Sequence, residues 1–352
     1  MVVRGTGGRG QDAPVTLDEE MIELRREIHR HPELAGEERE TAGLVAEQLR
    51  AAGLEVTTGV GGHGLCGHDL HTAIGVGVAR TLARAAEQVR GRVVFVFQPA
   101  EEPLRGARAM LGTGLVQRLA PREFYAVHCS PYPSGTIAVS PGYGLPGLDH
   151  LRIVLPGGDD ATAAAVAAEV AAAGTVEFPR SIDEYHARFR ALLVPEIAAT
   201  MQESVSVAHW TGDRGVDVLL RVWPHERLPA ARERIEQIAA DAGWHVEPVG
   251  DPFPAMVNSA ELSAAAGRHL SAALGPESVL WGRASWPFNC EDFALFLAEA
   301  PGAQFYLGVA DREAGINGAP HAPDFAADER AIGHGVRAMA GLLTHRLTAP
   351  PR

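Results

Sequence analysis

Lysine does not occur in this 352-residue chain; all 31 basic residues are arginine, a bias that points to a GC-rich genome more than to a mechanism. Cysteine is also scarce. Cys66, Cys129 and Cys290 are the whole complement, which excludes a disulfide framework and fits a reducing compartment in which thiols stay free. No apolar run approaches the roughly 20 residues that a membrane-spanning helix needs, so no membrane partner is expected and the chain reads as soluble and cytoplasmic. Positive charge is in deficit: the net charge of −13 repels phosphate backbones and argues against a nucleic-acid partner.

With 46% hydrophobic and 21% charged residues, the composition is that of a globular protein, and the length suits two domains, whose predicted elements below read as α/β. Residues 1–13, rich in Gly and Arg, lack the apolar centre of a signal peptide and read as a disordered leader. Apolar residues at helical spacing (Met21, Leu24, Ile28, then Leu44, Val45, Leu49) predict two helices up to Gly53, followed by a short strand over Leu54–Thr57 and a glycine turn ending at Cys66. A helix with a small, apolar face is predicted from Asp69. The contiguous Val93-Val94-Phe95-Val96-Phe97 then reads as a strand buried on both faces, with Glu101 and Glu102 just past its end, and Phe124–Val127 as a strand delivering His128. Donor residues thus gather at the carboxyl ends of strands, where open α/β sheets bind their ligands.

From about Leu148 the pattern changes to a strand, an Ala-rich helix over 161–173, two further strands and a helix from Pro229 to Gly243. The expected organisation is a catalytic domain in two parts, 14–147 and 253–352, interrupted by an α+β insert over 148–252.

Four stretches carry the chemistry: Cys66-Gly67-His68-Asp69, Gln98-Pro99-Ala100-Glu101-Glu102, Val127-His128-Cys129 and Ala319-Pro320-His321. Together they supply a thiolate, three imidazoles and paired carboxylates, a donor set that exceeds a closed four-ligand zinc site and suits two divalent transition metals. Each stretch has a purely structural explanation on its own. Cys66 and His68 could be a packed thiol beside a helix-capping imidazole, the Glu pair an exposed acidic turn before Pro103, and His128 and His321 imidazoles satisfied by hydrogen bonds. The set as a whole favours the metal reading.

Order and spacing carry a resemblance. Leu24-Arg25-Arg26-Glu27-Ile28-His29-Arg30-His31-Pro32-Glu33-Leu34, the Cys66–Ala73 run, Phe97–Glu102, Val127–Pro131, Glu291-Asp292-Phe293-Ala294 and Pro320–Phe325 resemble the dinuclear metallo-amidohydrolases that include hippurate hydrolase, auxin-conjugate amidohydrolases and N-acetyl-diaminopimelate deacetylase. The resemblance implies a zinc-peptidase-like catalytic domain with an inserted lid that dimerises. Its implied ligands for two divalent ions, manganese or zinc first and cobalt or nickel as alternatives, are Cys66, His68, Glu102, His128 and His321. It implies Glu101 as general base, acting on a hydroxide bridged by the metals, and a small N-acyl amino acid or similar conjugate as the amide substrate. Glu291 and Asp292 match a motif near the site, although Asn289 with Asp292 also reads as a helix N-terminus.

Two departures from the resemblance stand out. Relatives carry several dozen further residues before the Cys-Gly-His run, including a strand that ends in Asp-x-Asp-Ala-Leu-Pro; here Gly62-His63-Gly64-Leu65 leads straight into Cys66, so the catalytic domain is shortened there. The lid's Gly-Gly-His-Ala motif corresponds to Gly157-Gly158-Asp159-Asp160-Ala161, and an ionised Asp cannot donate to a developing oxyanion as an imidazole would; His186 and His209 are candidates to replace it. Both departures raise the alternative of a catalytically silent relative that keeps metal and dimerises as a binding protein.

Overall fold

The computed structural model describes residues 15–59, 68–154, 160–212, 215–322 and 324–348. Cys66 lies outside these residues, as do the glycine turn before it, residues 155–159 of the lid motif and the 1–13 leader.

Helices α1 (Leu17–Arg30) and α2 (Arg39–Ala51) form where the sequence predicts them. Thr16 starts α1 with a capping box: its hydroxyl accepts from the Glu19 N–H, and the Glu19 carboxylate accepts from the Thr16 N–H at 2.8 Å. Met21, Leu24 and Ile28 give α1 its buried stripe. The third helix, α3 (Asp69–Arg84), is buried along most of its length. Gly77 allows this: a Cβ there would lie 2.5 Å from Val336.

Among the described residues, ten strands follow in three sheets. The first sheet holds β1 (Phe124–Pro133), β2 (Ile137–Val139), β9 (Val279–Trp281) and β10 (Gly302–Ala310) in the order β1-β10-β2-β9. β1 runs parallel to β10, β10 antiparallel to β2, and β2 parallel to β9. A two-stranded ribbon pairs β3 (Gly144–Leu145) with β8 (Met256–Val257). The third sheet is antiparallel throughout, in the order β5-β6-β4-β7, from β4 (Gly147–Val154), β5 (Ser204–Gly212), β6 (Gly215–Trp223) and β7 (His245–Pro248).

One apolar core joins Met21, Ile74 and Val78 to Phe305, Leu307, Val336 and Leu342, so segments from both ends of the chain share it. A second core lies under the third sheet, where Leu151, Ile153, Val218, Leu220 and Val222 meet Val170 and Ile235 from the helices 160–172 and 228–241. Among the described residues no helix is long and apolar enough to cross a membrane.

Two expected strands are not strands. Leu54–Thr57 and the Val93–Phe97 run enter no ladder among the described residues. An apolar run forms a strand only when another backbone meets its N–H and C=O groups, and no described segment does so here. Two short helices follow, α4 (Gly106–Gly112) and one over Leu115–Leu119, with Gly114 in the left-handed region between them.

Candidate metal centre

His68 precedes the first turn of α3, His128 lies within β1, and Glu101 and Glu102 occupy the turn before α4. The fold brings these four together. His68 Nε2 lies 3.7 Å from Glu101 Oε2 and 3.5 Å from Glu102 Oε1, and the His68 and His128 rings meet edge to face at 5.5 Å. His321 stands at the rim, its Nδ1 3.8 Å from Glu102 Oε1. Its φ of +65°, with +47° at Ala100 and +55° at Leu104, places three left-handed non-glycine residues around one cluster; such backbone persists where the surroundings fix it, and it concentrates at functional sites.

Sequence reasoning missed His71. It stacks on His68 at 4.8 Å and packs against His128 at 4.4 Å, and its three-residue spacing from His68 across the start of α3 was the available signal. The backbone of Cys129 separates the roles of the rings. Its N–H donates to His71 Nε2 at 2.8 Å, so that lone pair is engaged; His128 Nδ1 donates to the Cys129 carbonyl at 2.8 Å, which leaves the His128 Nε2 lone pair free. Of these two imidazoles His128 is the one equipped to bind a cation, and His71 supports its neighbours.

The surrounding residues hold the cluster in place. Arg25 Nε and His29 Nδ1 from α1 converge on Asp69 Oδ2 at 3.0 and 2.8 Å, anchoring the residue next to His68. Glu38, 1% exposed, accepts from the Ala100 N–H at 3.2 Å and so holds the turn that carries the two glutamates. That turn also needs Gly106, where a Cβ would lie 1.6 Å from the Pro99 carbonyl oxygen. Asp292 does not cap its own helix, as its position suggested. Its carboxylate accepts from the Ala107 N–H at 2.9 Å and from Gln98 Nε2 at 2.6 Å, tying α4 to the Glu101 turn, while Asn289 accepts from Trp286 Nε1 at 3.1 Å.

The electrostatics suit a cation. Burial first, then neighbouring imidazoles, lowers His68 to about 3 and His71 well below its usual value, and burial lowers His128, so the rings are neutral near pH 7. Burial, then the charges of Glu291, Glu102 and Asp292, pushes Glu101 up to about 10; burial raises Glu291 as well, and Asp292 to about 6. Neutral imidazoles facing crowded carboxyls are a donor set that lacks only a positive charge, and a bound divalent ion would reverse the carboxyl shifts. Among the described residues, three groupings have donor atoms mutually close enough for one ion: His68, His71 and His128; His68, Glu101 and Glu102; and Glu101, Glu291 and Asp292. Of the proposed lid replacements, His209 is exposed on β5, and His186 is buried in the helix Ile182–Ala191.

The profile of peptidase family M20/M25/M40 matches residues 57–345. The chain belongs to this family. Among its relatives, the Probable hydrolase sll0100 of Synechocystis sp. is 29% identical, over 91% of this chain and 94% of its own length. N-acetyldiaminopimelate deacetylase of Exiguobacterium sibiricum is 26% identical, over 88% and 95%. In fold the chain is similar to the Bacillus subtilis YXEP protein, described as a dinuclear metal binding peptidase of family M20, with a TM-score of 0.69, 23% identity and coverage of 95% and 99%. This M20 chain is therefore a member of a hydrolase family, with the α/β architecture of the M20 peptidases.

Proposed function

We propose that the protein hydrolyses the amide bond of a small N-acyl amino acid or similar conjugate. The observation that carries this reading is the convergence of His68, His128, Glu101 and Glu102 in one cluster, with imidazoles neutral and carboxyls crowded. His68, Glu102, His128 and His321 would hold two divalent ions together with Cys66; manganese and zinc fit these donors best, and cobalt and nickel are the alternatives. When bound, the ions supply Lewis acidity towards the amide carbonyl and lower the pKa of water. Glu101 takes the proton of the attacking water and returns it to the leaving nitrogen. His71 and Asp69 keep His68 and His128 in place. Residues 148–252 act as the lid, through which two copies associate in the cytoplasm, and 14–147 with 253–352 form the catalytic domain.

Release of free amino acid from a panel of N-acyl amino acids by manganese- or zinc-loaded protein tests the reading. Glu101→Gln is expected to abolish release while leaving metal bound; undiminished turnover in that variant removes Glu101 from its role. A silent relative, retaining metal and the lid for binding, is the second reading. It is favoured by a cavity of about 1620 Å³ that opens between the unpaired 92–98 segment and β1 and reaches His68, His71, Glu101 and His128, so that water has a second route to the cluster. The Synechocystis alignment spans 377 positions, more than this whole chain contains, which supports an internal shortening. Turnover by folded, metal-loaded protein rejects the silent reading.

A further inference from the structure

The cavity between residues 92–98 and β1 is bounded by two backbones with unused edges. Every residue of 90–98 and of 119–128 lines it. Successive side chains of a strand point to opposite faces, so a space that touches each residue in turn runs along the backbone itself. β1 is bonded to β10 on its other side, and no described segment pairs through its backbone with residues 92–97. Side chains hold that segment instead. Val93, Phe95 and Phe97 pack on the main core while Val94 and Val96 are exposed, the period-two alternation of a strand. Phe97 lies so close to α3 that a Cβ on Gly75 would sit 2.9 Å from its ring. Arg92 donates to the Leu119 carbonyl, which ties the starts of the two segments together.

The space has an apolar wall on each face. Ile74 and Val78 of α3 and Met339 and Leu343 of the last helix (Arg330–Thr348) line it on the side to which Tyr125 and Val127 turn. Phe293 and Phe296 line it on the side of Phe124, whose ring lies 6.5 and 5.4 Å from theirs. Charge is distributed unevenly. Away from the metal centre the lining carries five arginines, Arg90, Arg92, Arg122, Arg268 and Arg346, against the two carboxylates of Glu123 and Glu261. On a chain of net charge −13 this is a local excess of positive charge, and it favours an acidic group on whatever enters.

We infer that this slot receives a β-strand from another polypeptide, apolar on both faces and flanked by an acidic residue, which pairs with β1 on one side and with residues 93–97 on the other. Two edges and two apolar walls specify such an occupant. Main-chain hydrogen bonds supply the affinity of strand addition, and the pockets for alternate side chains supply its selectivity. Residues 93–97 span about 17 Å at roughly 3.3 Å per residue, so five residues of the incoming strand fill the register. The cavity reaches His68, His71 and His128, and an inserted strand covers that approach to the cluster. The inference stands whether or not the cluster hydrolyses amides.

Fluorescence anisotropy of the full chain with the labelled peptide Asp-Thr-Val-Ile-Val-Ile-Val-Thr tests it, read together with amide hydrogen exchange. The peptide is expected to bind about tenfold or more tightly than the same sequence with proline at its central valine, because proline removes a ladder donor and is excluded from central strands. Exchanging its Asp for Lys is expected to weaken binding. Bound peptide should slow exchange at residues 93–97 and 124–127 and leave β6 unchanged. Val96→Asp, at a site 38% exposed, is expected to keep the fold and to lose about tenfold in peptide affinity, since it sets a carboxylate against an apolar strand. Equal binding of the proline or the lysine peptide, or protection elsewhere than at these residues, overturns the inference without recourse to the Val96 variant. So does protection of 93–97 in the peptide-free chain: as a monomer it would mean that the chain fills its own slot, and as a dimer at micromolar concentration that a second copy does.

Discussion

The two larger sheets of this protein are built from similarly apolar sequence, and they end up in different states. In the third sheet, β4 and β6 are paired along their lengths, and Leu151, Val216, Val218, Leu220 and Val222 are each 0% exposed. Beside the first sheet, Val93–Phe97 is just as rich in β-branched and aromatic residues, yet Val94 and Val96 are 44% and 38% exposed and the segment joins no ladder. Apolar composition is therefore not what completes a strand. A neighbouring backbone at the right distance is, and among the described residues the first sheet ends at the edge of β1.

The comparison is sharpest in stability. Leu220→Ala in the third sheet is expected to cost about 2–5 kcal/mol, as full truncation of a buried leucine does, whereas Val94→Ala is expected to cost less than about 1 kcal/mol. Denaturant melts of both variants check this, and equal losses would mean that the 92–98 segment is packed after all. Metal comes next. At a hundredfold excess over its dissociation constant, an ion that binds only the folded state adds about 2.7 kcal/mol; hydrogen exchange should show the gain around residues 68–71 and 98–102 and little change in β6. Uniform protection throughout would show that the two regions unfold as one.

A smaller effect follows from pH. Glu101 keeps its proton in the folded, metal-free chain up to about 10, and releases it near the ordinary carboxylate value when unfolded. Above pH 7 the imidazoles are neutral in both states, so the folded state binds the extra proton and stability falls as pH rises from 7 to 9, by at most about 1.4 kcal/mol per unit. Saturating metal or Glu101→Gln should flatten that slope, and thermal melts across this range measure it. The smallest expected effect concerns thiols. Chelation should expose Cys66 to alkylation selectively, and Cys66→Ala should lower metal content while Cys129→Ala does not, because a ligating thiolate is shielded. Mass spectrometry of labelled peptides with and without chelator reads it; Cys66 labelling indifferent to metal would remove it from the ligand set.

Much of this contrast was legible in the sequence. The Ala-rich helix, the strands of the insert and the order of Cys66, His68, Glu101, Glu102, His128 and His321 could be read because local periodicity and motif spacing encode them. The state of Val93–Phe97 could not, since pairing is a non-local property. Glu38, Arg25 and His29 gave no local sign of their tasks either: a carboxylate that holds a turn 62 residues away looks, in sequence, like one more charge on a helix end.

The free edge of β1 also bears on colloidal behaviour. Exposed strand edges are templates for pairing between molecules, and proteins commonly blunt them with lysine, a residue this chain lacks entirely. At Cys129 the imidazoles of His71 and His128 occupy the backbone groups that another chain would seek. Upstream, over Phe124–Val127, no described strand pairs on that side. Self-association at high concentration should therefore begin there, and a charged residue introduced at Ala126 should suppress it.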